Sequence, residues 1–285
     1  MNTRNEKTKS AGIYGIIGNL FLLIIKAIVG IASKSQAMIA DSVNSAGDIF
    51  ASLMTFIGNK IASEPNDEDH NFGHGKAEYI FSMFISISMI LVSAKLLYDS
   101  IMKLILGSDL QFSWFLVIVC IVTIITKIGL YIYVRKIYKT CNNILLQANM
   151  EDHRNDCIIT TFTLISILLT QINIYWFDCV VGIGISLWIC YTGIKIFLES
   201  YNVLMDKSVD ERTKDLILDL AHSYKDIKTV KNISSSPVGY KYMIFLTIQV
   251  DGEMPTKESH DLADCLEMDI SKLEKVYKAI VHVEP

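Results

Sequence analysis

The sequence of 285 residues is poor in charged residues and is not basic. Charged residues make up 20% of the chain and hydrophobic residues 51%, a balance that is too apolar for an ordinary soluble domain. The 26 basic and 30 acidic residues give a net charge of −4, so a basic surface for nucleic acid is not expected. The composition predicts a protein that lies in a lipid bilayer and binds no nucleic acid.

Proline and paired cysteines are also scarce. The four prolines, at Pro65, Pro237, Pro255 and Pro285, all lie outside the long apolar stretches. Proline-broken helices are therefore not favoured, and a site within the membrane has to be built from side chains on continuous helices. The six cysteines form no C-x-x-C pair, so we interpret them as small buried hydrophobic residues without a redox or zinc role.

Six apolar stretches are long enough to cross a bilayer, which takes about 20 helical residues. The first is too long for a secretory signal and has no small-residue cleavage pattern, so we expect it to be retained. Basic residues precede the first stretch, flank the connection between the second and third, and follow the fourth. This pattern predicts a multi-pass protein of the cell membrane with both termini in the cytoplasm. The stretches lie near residues 11–32, 37–61, 78–102, 111–135, 143–171 and 174–198.

The composition becomes more polar near residue 207. This change divides the chain into a transmembrane domain of six helices, residues 1–207, and a cytoplasmic domain, residues 208–285. The sequence pattern of residues 208–285 predicts a small α+β fold. Dimerisation or metal binding would help to stabilise a domain of this size. Its expected elements are, in order, a helix at 211–224, strands at 227–233 and 240–250, a helix at 257–273 and a strand at 276–283.

Polar side chains interrupt the second and fifth apolar stretches. Asn44 and Asp48 lie four residues apart, as do Asp152 and Asp156, and this spacing puts each pair on one helix face. Counting from the cytoplasmic helix ends places Asp48 and Asp156 at the same depth, about 20 Å from the boundary. Ionisable residues inside a membrane usually mark an ion site or pathway rather than a helix contact. The two pairs therefore predict a metal site with four ligands.

The proposed ligands are all oxygen donors, which indicates the class of metal. An amide and three carboxylates, without imidazole or thiolate, suit manganese(II) best, although iron(II), cobalt(II) and zinc(II) remain possible. Three carboxylates in an apolar cleft repel one another, so we expect at least one to bind a proton when the metal leaves. Metal and protons then compete for the same oxygens, which predicts an antiporter.

The polar residues beside these pairs receive other interpretations. Asp41 either lines an exit path or caps a neighbouring helix. Glu151, His153 and Arg154 face directions other than the two aspartates of the same segment, so we take them as structural. Arg154 is expected to pair with a carboxylate.

At these segments the sequence resembles the cation diffusion facilitators. That family consists of homodimeric exporters of divalent metals with six spans and a ferredoxin-like cytoplasmic domain. The resemblance implies that Asn44, Asp48, Asp152 and Asp156 bind the transported metal. Zinc-transporting members commonly have histidine at the first position of one or both pairs, so the amide and carboxylate found here resemble the manganese-type branch. The matching segments are ADSVNSAGD at 40–48, NDEDHNFGHGKAE at 66–78, EDHRND at 151–156 and LMDKSVD at 204–210.

The resemblance also assigns roles to residues outside the membrane. It implies a second metal site formed by Asp67, His70 and His74 in the loop between the second and third spans. Two histidines alone would equally fit an ordinary solvated loop. The resemblance further implies that Lys76 and Asp206 form a charge pair that helps to hold the dimer together.

The cytoplasmic domain departs from the pattern of zinc-binding relatives. It keeps His260 and His282, with Glu284 beside the latter, whereas Lys231 and Gln249 occupy positions where relatives place ligands. A binuclear zinc cluster is therefore not expected. His260, His282 and Glu284 remain candidates for a single metal site across the dimer.

Taken together, these features predict a homodimeric manganese(II)/proton antiporter that exports metal from the cytoplasm and needs no cofactor besides the transported ion. One alternative is an exporter of zinc, iron or cobalt with the same fold. Another is a passive channel, which would carry divalent cations without proton counterflow. An enzyme is not expected, because H-E-x-x-H and other catalytic zinc signatures are missing from the sequence.

Overall fold

The computed structural model describes residues 2–32, 36–106, 113–169 and 176–285. The side chains of residues 36–44 lie outside the described part, so Asp41 and Asn44 are known only by their positions on a helix. The chain divides into two compact units, one of Met1–Ser63 and Ala77–Ser200 and one of Glu64–Lys76 and Tyr201–Pro285. The loop that follows the second helix thus groups with the C-terminal unit, while the domain boundary at residue 207 stays a prediction.

The first unit consists of long α-helices. They contain 26 to 31 residues each, which corresponds to about 39 to 46 Å at 1.5 Å per residue. Each is therefore longer than the hydrocarbon core of a bilayer, which is about 30 Å thick. The helices are α1 (Asn2–Ala32), α2 (Gln36–Ala62), α3 (Ala77–Leu106), α4 (Trp114–Cys141), α5 (Ile144–Leu169) and α6 (Trp176–Leu204).

Four of these helices contain a segment that is apolar and long enough to span a membrane. Within the described ranges, α2 and α5 do not reach this apolar content, because they carry the polar residues singled out in the sequence. The chain is thus a multi-pass helical protein with six long helices among its described residues, and membrane crossing by all six stays a prediction. The four segments are Arg4–Val29, Ala77–Leu106, Trp114–Cys141 and Gly182–Leu204.

The surface of this unit is apolar and its interior contains many polar groups. Phe21, Leu91, Ile125 and Trp188 expose 50%, 65%, 67% and 52% of their surface. This arrangement is the reverse of that in a soluble domain and suits a lipid environment. The buried polar residues include Asn19, Ser52, Asn59, Glu78, Lys127, Asn149, His153 and Asn155.

Helix α5 packs against α2, α3 and α4, and α1 packs along α2 and α4. Small residues permit close contacts, as at Gly58 of α2, where an added Cβ atom would lie 2.6 Å from Cβ of Phe81 on α3. A buried cluster joins Ala51 of α2 to Ile85 of α3 and Leu145 of α5. The contact of α2 with α5 brings together the two helices that carry the proposed ligand pairs.

The second unit is a small α+β fold with a three-stranded sheet. Strands β1 and β2 pair antiparallel, whereas β2 and β3 are parallel and are connected through α8. Both helices pack on the sheet through a core that includes Ile217, Ile244, Leu266 and Ala279. The elements are α7 (Glu211–His222), β1 (Thr229–Val238), β2 (Lys241–Gln249), α8 (Thr256–Ser271) and β3 (Val276–Glu284).

This unit differs from the prediction in two respects. Strand β1 extends to Val238 instead of ending at residue 233, because it is an edge strand that tolerates Pro237 and pairs with β2 up to the turn at Gly239. A ferredoxin-like fold also has a strand before its first helix. Among the described residues the sheet has three strands, so only the α-β-β-α-β part of that fold is present.

The cysteines form no disulfide within the part of the chain that the structure describes, and they differ in burial. The interpretation of all six as buried is wrong for Cys265, which is exposed on α8. Cys265 is therefore the cysteine most open to reagents in solution. Two are buried, Cys120 and Cys179, and three are half-buried, Cys141, Cys157 and Cys190.

Candidate metal sites

Three of the four proposed ligands in the helical unit line one cavity. Asp48 of α2 and Asp152 and Asp156 of α5 border a space of about 110 Å³. The side chains of Asp48 and Asp156 are 12% and 14% exposed. The Oδ2 atom of Asp152 is buried and has no hydrogen-bond partner among the described residues. The cavity thus presents carboxylate oxygens to a small cation between apolar walls that include Phe50, Met89, Val92, Ile159 and Ile189.

Asn44 lies four residues before Asp48 on α2, and therefore on the same face of this helix. Its side chain is outside the described residues, as is that of Asp41. The role of Asn44 as a fourth ligand stays a prediction, and so do the two interpretations of Asp41.

A lysine that the sequence analysis did not consider contacts two of these carboxylates. Nζ of Lys127, on α4, donates to Oδ2 of Asp48 at 2.8 Å and to Oδ2 of Asp156. The Lys127 side chain is 1% exposed. Because one nitrogen contacts both carboxylates, Asp48 and Asp156 lie at one level of the helical unit. A signal was present in the sequence, since a lone lysine within an apolar stretch is itself an ionisable membrane residue.

A histidine also reaches the carboxylate cluster. His153 is fully buried, and neither ring nitrogen has a hydrogen-bond partner among the described residues. One of its nitrogens lies within 4.8 Å of carboxylate oxygens of Asp152 and Asp156. This finding corrects the interpretation that His153 points away from the ligands, because the imidazole is long enough to reach the site from a neighbouring helix face. An imidazole nitrogen therefore lies close to the carboxylate oxygens of this cluster.

Arg154 and Glu151 form an ion pair on α5, in keeping with the expectation that Arg154 pairs with a carboxylate. The Arg154 guanidinium also lies over the Trp188 ring, 5.6 Å from its centroid. These contacts give both residues structural partners at the edge of the site.

Asn19 of α1 supports the helical segment that carries Asp48. Its Nδ2 donates to the Asp48 backbone carbonyl at 3.0 Å and to Oγ of Ser52 at 3.2 Å. The side chain is buried, so the amide satisfies polar groups that water does not reach. Sequence reasoning missed this contact, because a single asparagine in an apolar stretch does not identify its partner.

The start of α5 is held by a partly buried ion pair. Arg4 donates to both carboxylate oxygens of Glu78, at 2.6 and 2.8 Å, and Asn143 Nδ2 donates to Glu78 Oε1 at 3.0 Å. The Asn143 side chain in turn accepts from the backbone N–H of Leu145 at 2.7 Å. This network joins α1 and α3 to the first turn of α5, the helix that carries Asp152 and Asp156.

The loop site predicted from the resemblance has its three side chains together in the second unit. Donor atoms of Asp67, His70 and His74 all lie within 4.8 Å of one another. Nδ1 of His70 is 3.2 Å from Oδ1 of Asp67, and Nε2 of His74 is 3.5 Å from Oδ2. Nδ1 of His74 lies 3.2 Å from the Pro65 carbonyl, so if Nδ1 carries the proton, Nε2 is free to bind a metal.

Asp67 is held in its ionised form by the loop itself. The backbone N–H of His70 donates to Oδ1 at 2.6 Å, and that of Asp69 donates at 3.1 Å. The hydrogen bond from the His70 backbone, followed by the interactions with the histidine side chains, lowers the pKa of Asp67 from its ordinary value. Asp67 can therefore offer a carboxylate to a cation at neutral pH.

Three contacts hold the loop at residues 64–76 against the C-terminal fold, within the second unit. Nζ of Lys76 donates to Oδ1 of Asp206 at 3.0 Å. The Phe72 and Tyr277 rings meet edge to face with centroids 6.4 Å apart. Gly75 approaches Gly239 so closely that a Cβ atom on Gly75 would lie 2.8 Å from the Gly239 Cα atom. The charge pair implied by the resemblance is present within one chain, and its role in the dimer stays a prediction.

The three candidate ligands in the C-terminal fold are exposed or already paired. His260 is 73% exposed with Nδ1 3.5 Å from Asp264, and His282 is 70% exposed with Nε2 4.0 Å from Glu284. Lys231 donates to Glu284 at 2.7 Å and thereby lowers the pKa of this carboxyl group. Among the described residues of one chain, these three do not form a metal cluster. A site across the dimer stays a prediction.

Comparison with known proteins matches both parts of the chain to one family. Residues 12–205 match the cation efflux transmembrane domain, and residues 209–285 match the cytoplasmic domain of cation efflux proteins. The manganese efflux system protein MneS of Bacillus subtilis is 28% identical over 98% of this chain and 96% of its own length. The magnetosome protein MamM of Magnetospirillum gryphiswaldense is 27% identical over 97% of this chain and 88% of its own length.

A third relative, an uncharacterized transporter of Methanocaldococcus jannaschii, is 29% identical over 95% of this chain and 96% of its own length. The matches extend over both compact units. The matched regions agree with the four sequence segments that resemble the cation diffusion facilitators. This is a family of transporters and not of enzymes. The chain therefore belongs to the cation diffusion facilitator family of metal cation efflux transporters, in the branch that holds the manganese efflux proteins.

Proposed function

We propose that this protein exports manganese(II) from the cytoplasm in exchange for protons, and that Asn44, Asp48, Asp152 and Asp156 bind the ion in transit. The proposal rests on the convergence of three carboxylates on one cavity inside a helical unit whose outer surface is apolar. It takes all six long helices as membrane spans and places both termini in the cytoplasm of a homodimer in the cell membrane.

Proton exchange follows from the charge of the cavity. Asp48, Asp152 and Asp156 bring three carboxyl groups to a space that holds one small ion, and Lys127 supplies one positive charge. When the metal leaves, the remaining negative charge lies in surroundings of low dielectric constant, which favours the uptake of protons. Metal release on one side and proton uptake are then coupled by competition for the same oxygens.

The preference for manganese is supported by the ligands and by the relatives. Carboxylate oxygens suit manganese(II), which often completes a large coordination shell with water. MneS and MneP of Bacillus subtilis, which are named as manganese efflux proteins, are 28% and 26% identical to this chain. The cavity of about 110 Å³ leaves room for a bound ion together with water.

His153 favours a second candidate function, the export of zinc, iron or cobalt by the same fold. Its ring nitrogen lies within 4.8 Å of oxygens of Asp152 and Asp156. Imidazole is a borderline donor that suits zinc(II) and iron(II). The two candidates differ in the metal that is carried and share the same coupling to protons.

We infer in addition that Asp67, His70 and His74 form a second metal site, which faces cytoplasmic solution. Two imidazoles and a carboxylate give this site a softer donor set than the cavity has, so it should also bind zinc(II). His260, His282 and Glu284 form a third candidate site, which would require residues of both subunits.

The proposed function is tested with the purified protein in proteoliposomes that contain a dye sensitive to pH. Manganese(II), zinc(II), iron(II) and cobalt(II) are added outside in turn, and metal uptake and internal pH are recorded together. The expected result is that manganese enters fastest and that the interior becomes more alkaline as protons leave. Metal uptake without any change in pH would instead indicate a passive channel, and no uptake of any of these metals would contradict the proposal.

A further inference from the structure

Lys127 is buried at the point where the proposed transport site would hold its metal. Its Nζ lies 2.8 Å from Oδ2 of Asp48 and also contacts Oδ2 of Asp156, so the ammonium bridges α2 and α5. A bridging divalent cation would use the same two carboxylates. The lysine thus has the position and the sign of charge of the transported ion.

The ammonium and a metal ion cannot both keep these contacts. A metal bound between Asp48 and Asp156 would lie within a few ångströms of Nζ, and the repulsion between the two cations is large where the dielectric constant is low. Lys127 comes from α4, whereas the two carboxylates belong to α2 and α5. The lysine can therefore move away without disturbing the helices that carry the ligands.

A second polar group offers the ammonium another place to bind. Thr123 lies one turn before Lys127 on α4, and its Oγ1 is buried without a hydrogen-bond partner among the described residues. Residues i and i+4 lie on the same helix face, and helical side chains lean towards the N-terminus, so the Lys127 side chain extends in the direction of Thr123. The Thr123 hydroxyl is one of several buried polar groups without a partner among the described residues, and its oxygen can accept a hydrogen bond from an ammonium.

We propose that the Lys127 ammonium is a tethered counter-cation, which occupies the metal position in the empty transporter and moves towards Thr123 when metal binds. This inference rests on the proposed function, since it assumes that Asp48 and Asp156 bind the transported metal. The returning ammonium competes with the metal for its ligands and so promotes release. Lys127 is then a positioning residue that weakens metal binding and speeds turnover.

The proposal predicts the direction in which metal affinity changes. In Lys127→Met, which keeps an unbranched side chain up to the Cε position and removes the ammonium, manganese should bind at least about tenfold more tightly and be released more slowly, because no ammonium competes. Lys127→Arg keeps a cation and should remain within a few-fold of the wild type. Thr123→Val removes the alternative acceptor with little change of shape and should weaken binding. If Lys127 served only to hold the structure together, its replacement by methionine would instead weaken manganese binding.

The test is calorimetry of manganese binding to the purified full-length protein, combined with flux in proteoliposomes. All proteins compared carry His70→Ala and His74→Ala, so that the loop site does not contribute to the measured affinity. Lys95→Met is the matched control, because it removes a charge from an exposed position on α3. Unchanged or weaker binding in folded Lys127→Met overturns the proposal. If that variant does not fold, unchanged affinity in Thr123→Val overturns it instead. Wild-type affinity in Asp156→Asn would show that the metal site lies elsewhere, which contradicts the proposed function and not only the role of Lys127.

Discussion

Asp206, two residues beyond the end of helix α6, binds Lys76 of the loop that carries the second candidate metal site. Its backbone lies in the left-handed region with φ of +55°, and its carboxylate accepts from Nζ of Lys76 at 3.0 Å and from Oγ of Ser236 at 3.1 Å. Asparagine tolerates the same backbone conformation. The charge of Asp206 can therefore be removed without straining the helix end.

We predict that Asp206→Asn loosens the attachment of the loop at residues 64–76 and leaves the helix end intact. The pair is exposed, so its loss should cost less than about 1 kcal/mol in the free energy of unfolding. Amide hydrogen exchange should become faster around residues 64–76, with little change in α7. Lys76→Arg, which preserves the charge, serves as the control. Equal exchange in all three proteins would contradict the role assigned to the pair.

The same contact gives a pH dependence of known sign. The hydrogen bonds from Lys76 and Ser236 lower the pKa of Asp206 from its ordinary value. A carboxyl group whose pKa is lower in the folded state stabilises that state above the unfolded pKa, and this contribution is lost as the pH falls through the folded pKa. The contribution of Asp206 to loop protection should therefore be constant between pH 7 and 5, and the difference in protection between wild type and Asp206→Asn should shrink below about pH 4.

Asp48→Ala is predicted to abolish metal transport and to leave the protein able to form its dimer. The substitution removes one ligand and one partner of Lys127 without adding volume. Transport is measured as manganese uptake in proteoliposomes, and the oligomer by light scattering in detergent. Asp99→Ala, at an exposed position on α3, is the control and should transport normally. Uptake by Asp48→Ala at the rate of the wild type would place the site elsewhere.

Removal of the loop site should lower the number of bound metal ions without abolishing transport. We expect His70→Ala with His74→Ala to lose one bound ion per chain, because Asp67 alone is left as a ligand. Equilibrium dialysis in an Asp48→Ala background isolates this site from the cavity. His222→Ala removes a histidine from the exposed end of α7 and should not change the stoichiometry. An unchanged stoichiometry in the double variant would exclude the loop as a metal site.

Selectivity should respond in opposite directions to two substitutions at the cavity. Asp152→His adds an imidazole and should raise the ratio of zinc to manganese transport, whereas His153→Gln removes one and should lower it. The ratio is the quantity to compare, because Asp152→His also removes a negative charge and weakens attraction for every divalent ion. Unchanged ratios in both folded variants would mean that the shape of the cavity, and not the donor type, sets the preference.

The sequence was sufficient to predict the elements whose patterns are local. The apolar stretches predict six long helices, and most helix ends lie within about four residues of the predicted ones. The exceptions are the start of α1, nine residues earlier at Asn2, and the ends of α4 and α6, each six residues later at Cys141 and Leu204. The proposed ligand pairs Asn44 with Asp48 and Asp152 with Asp156 follow from helical spacing alone. The extension of β1 to Val238 was missed, because pairing with β2 overrides the low strand preference of its serines and proline.

The missed residues depend on contacts between helices. Lys127 is separated by 79 residues from Asp48 and by 29 from Asp156, so no local pattern indicates that they meet. His153 was excluded by its angular position on α5, a criterion that ignores the reach of an imidazole. The pairing of Arg4 with Glu78 likewise joins α1 to α3 across 74 residues. Such contacts follow from packing and cannot be read from spacing in one helix.

The claim that the exported metal binds between α2 and α5 is tested most directly by diffraction at the manganese absorption edge, from crystals of the full-length protein grown with manganese(II). We predict an anomalous peak within about 2.3 Å of oxygens of Asp48, Asp152 and Asp156, with Nζ of Lys127 displaced from both of its carboxylate partners. Peaks confined to the loop at Asp67, or anywhere outside the cavity, in protein that transports manganese would contradict the account.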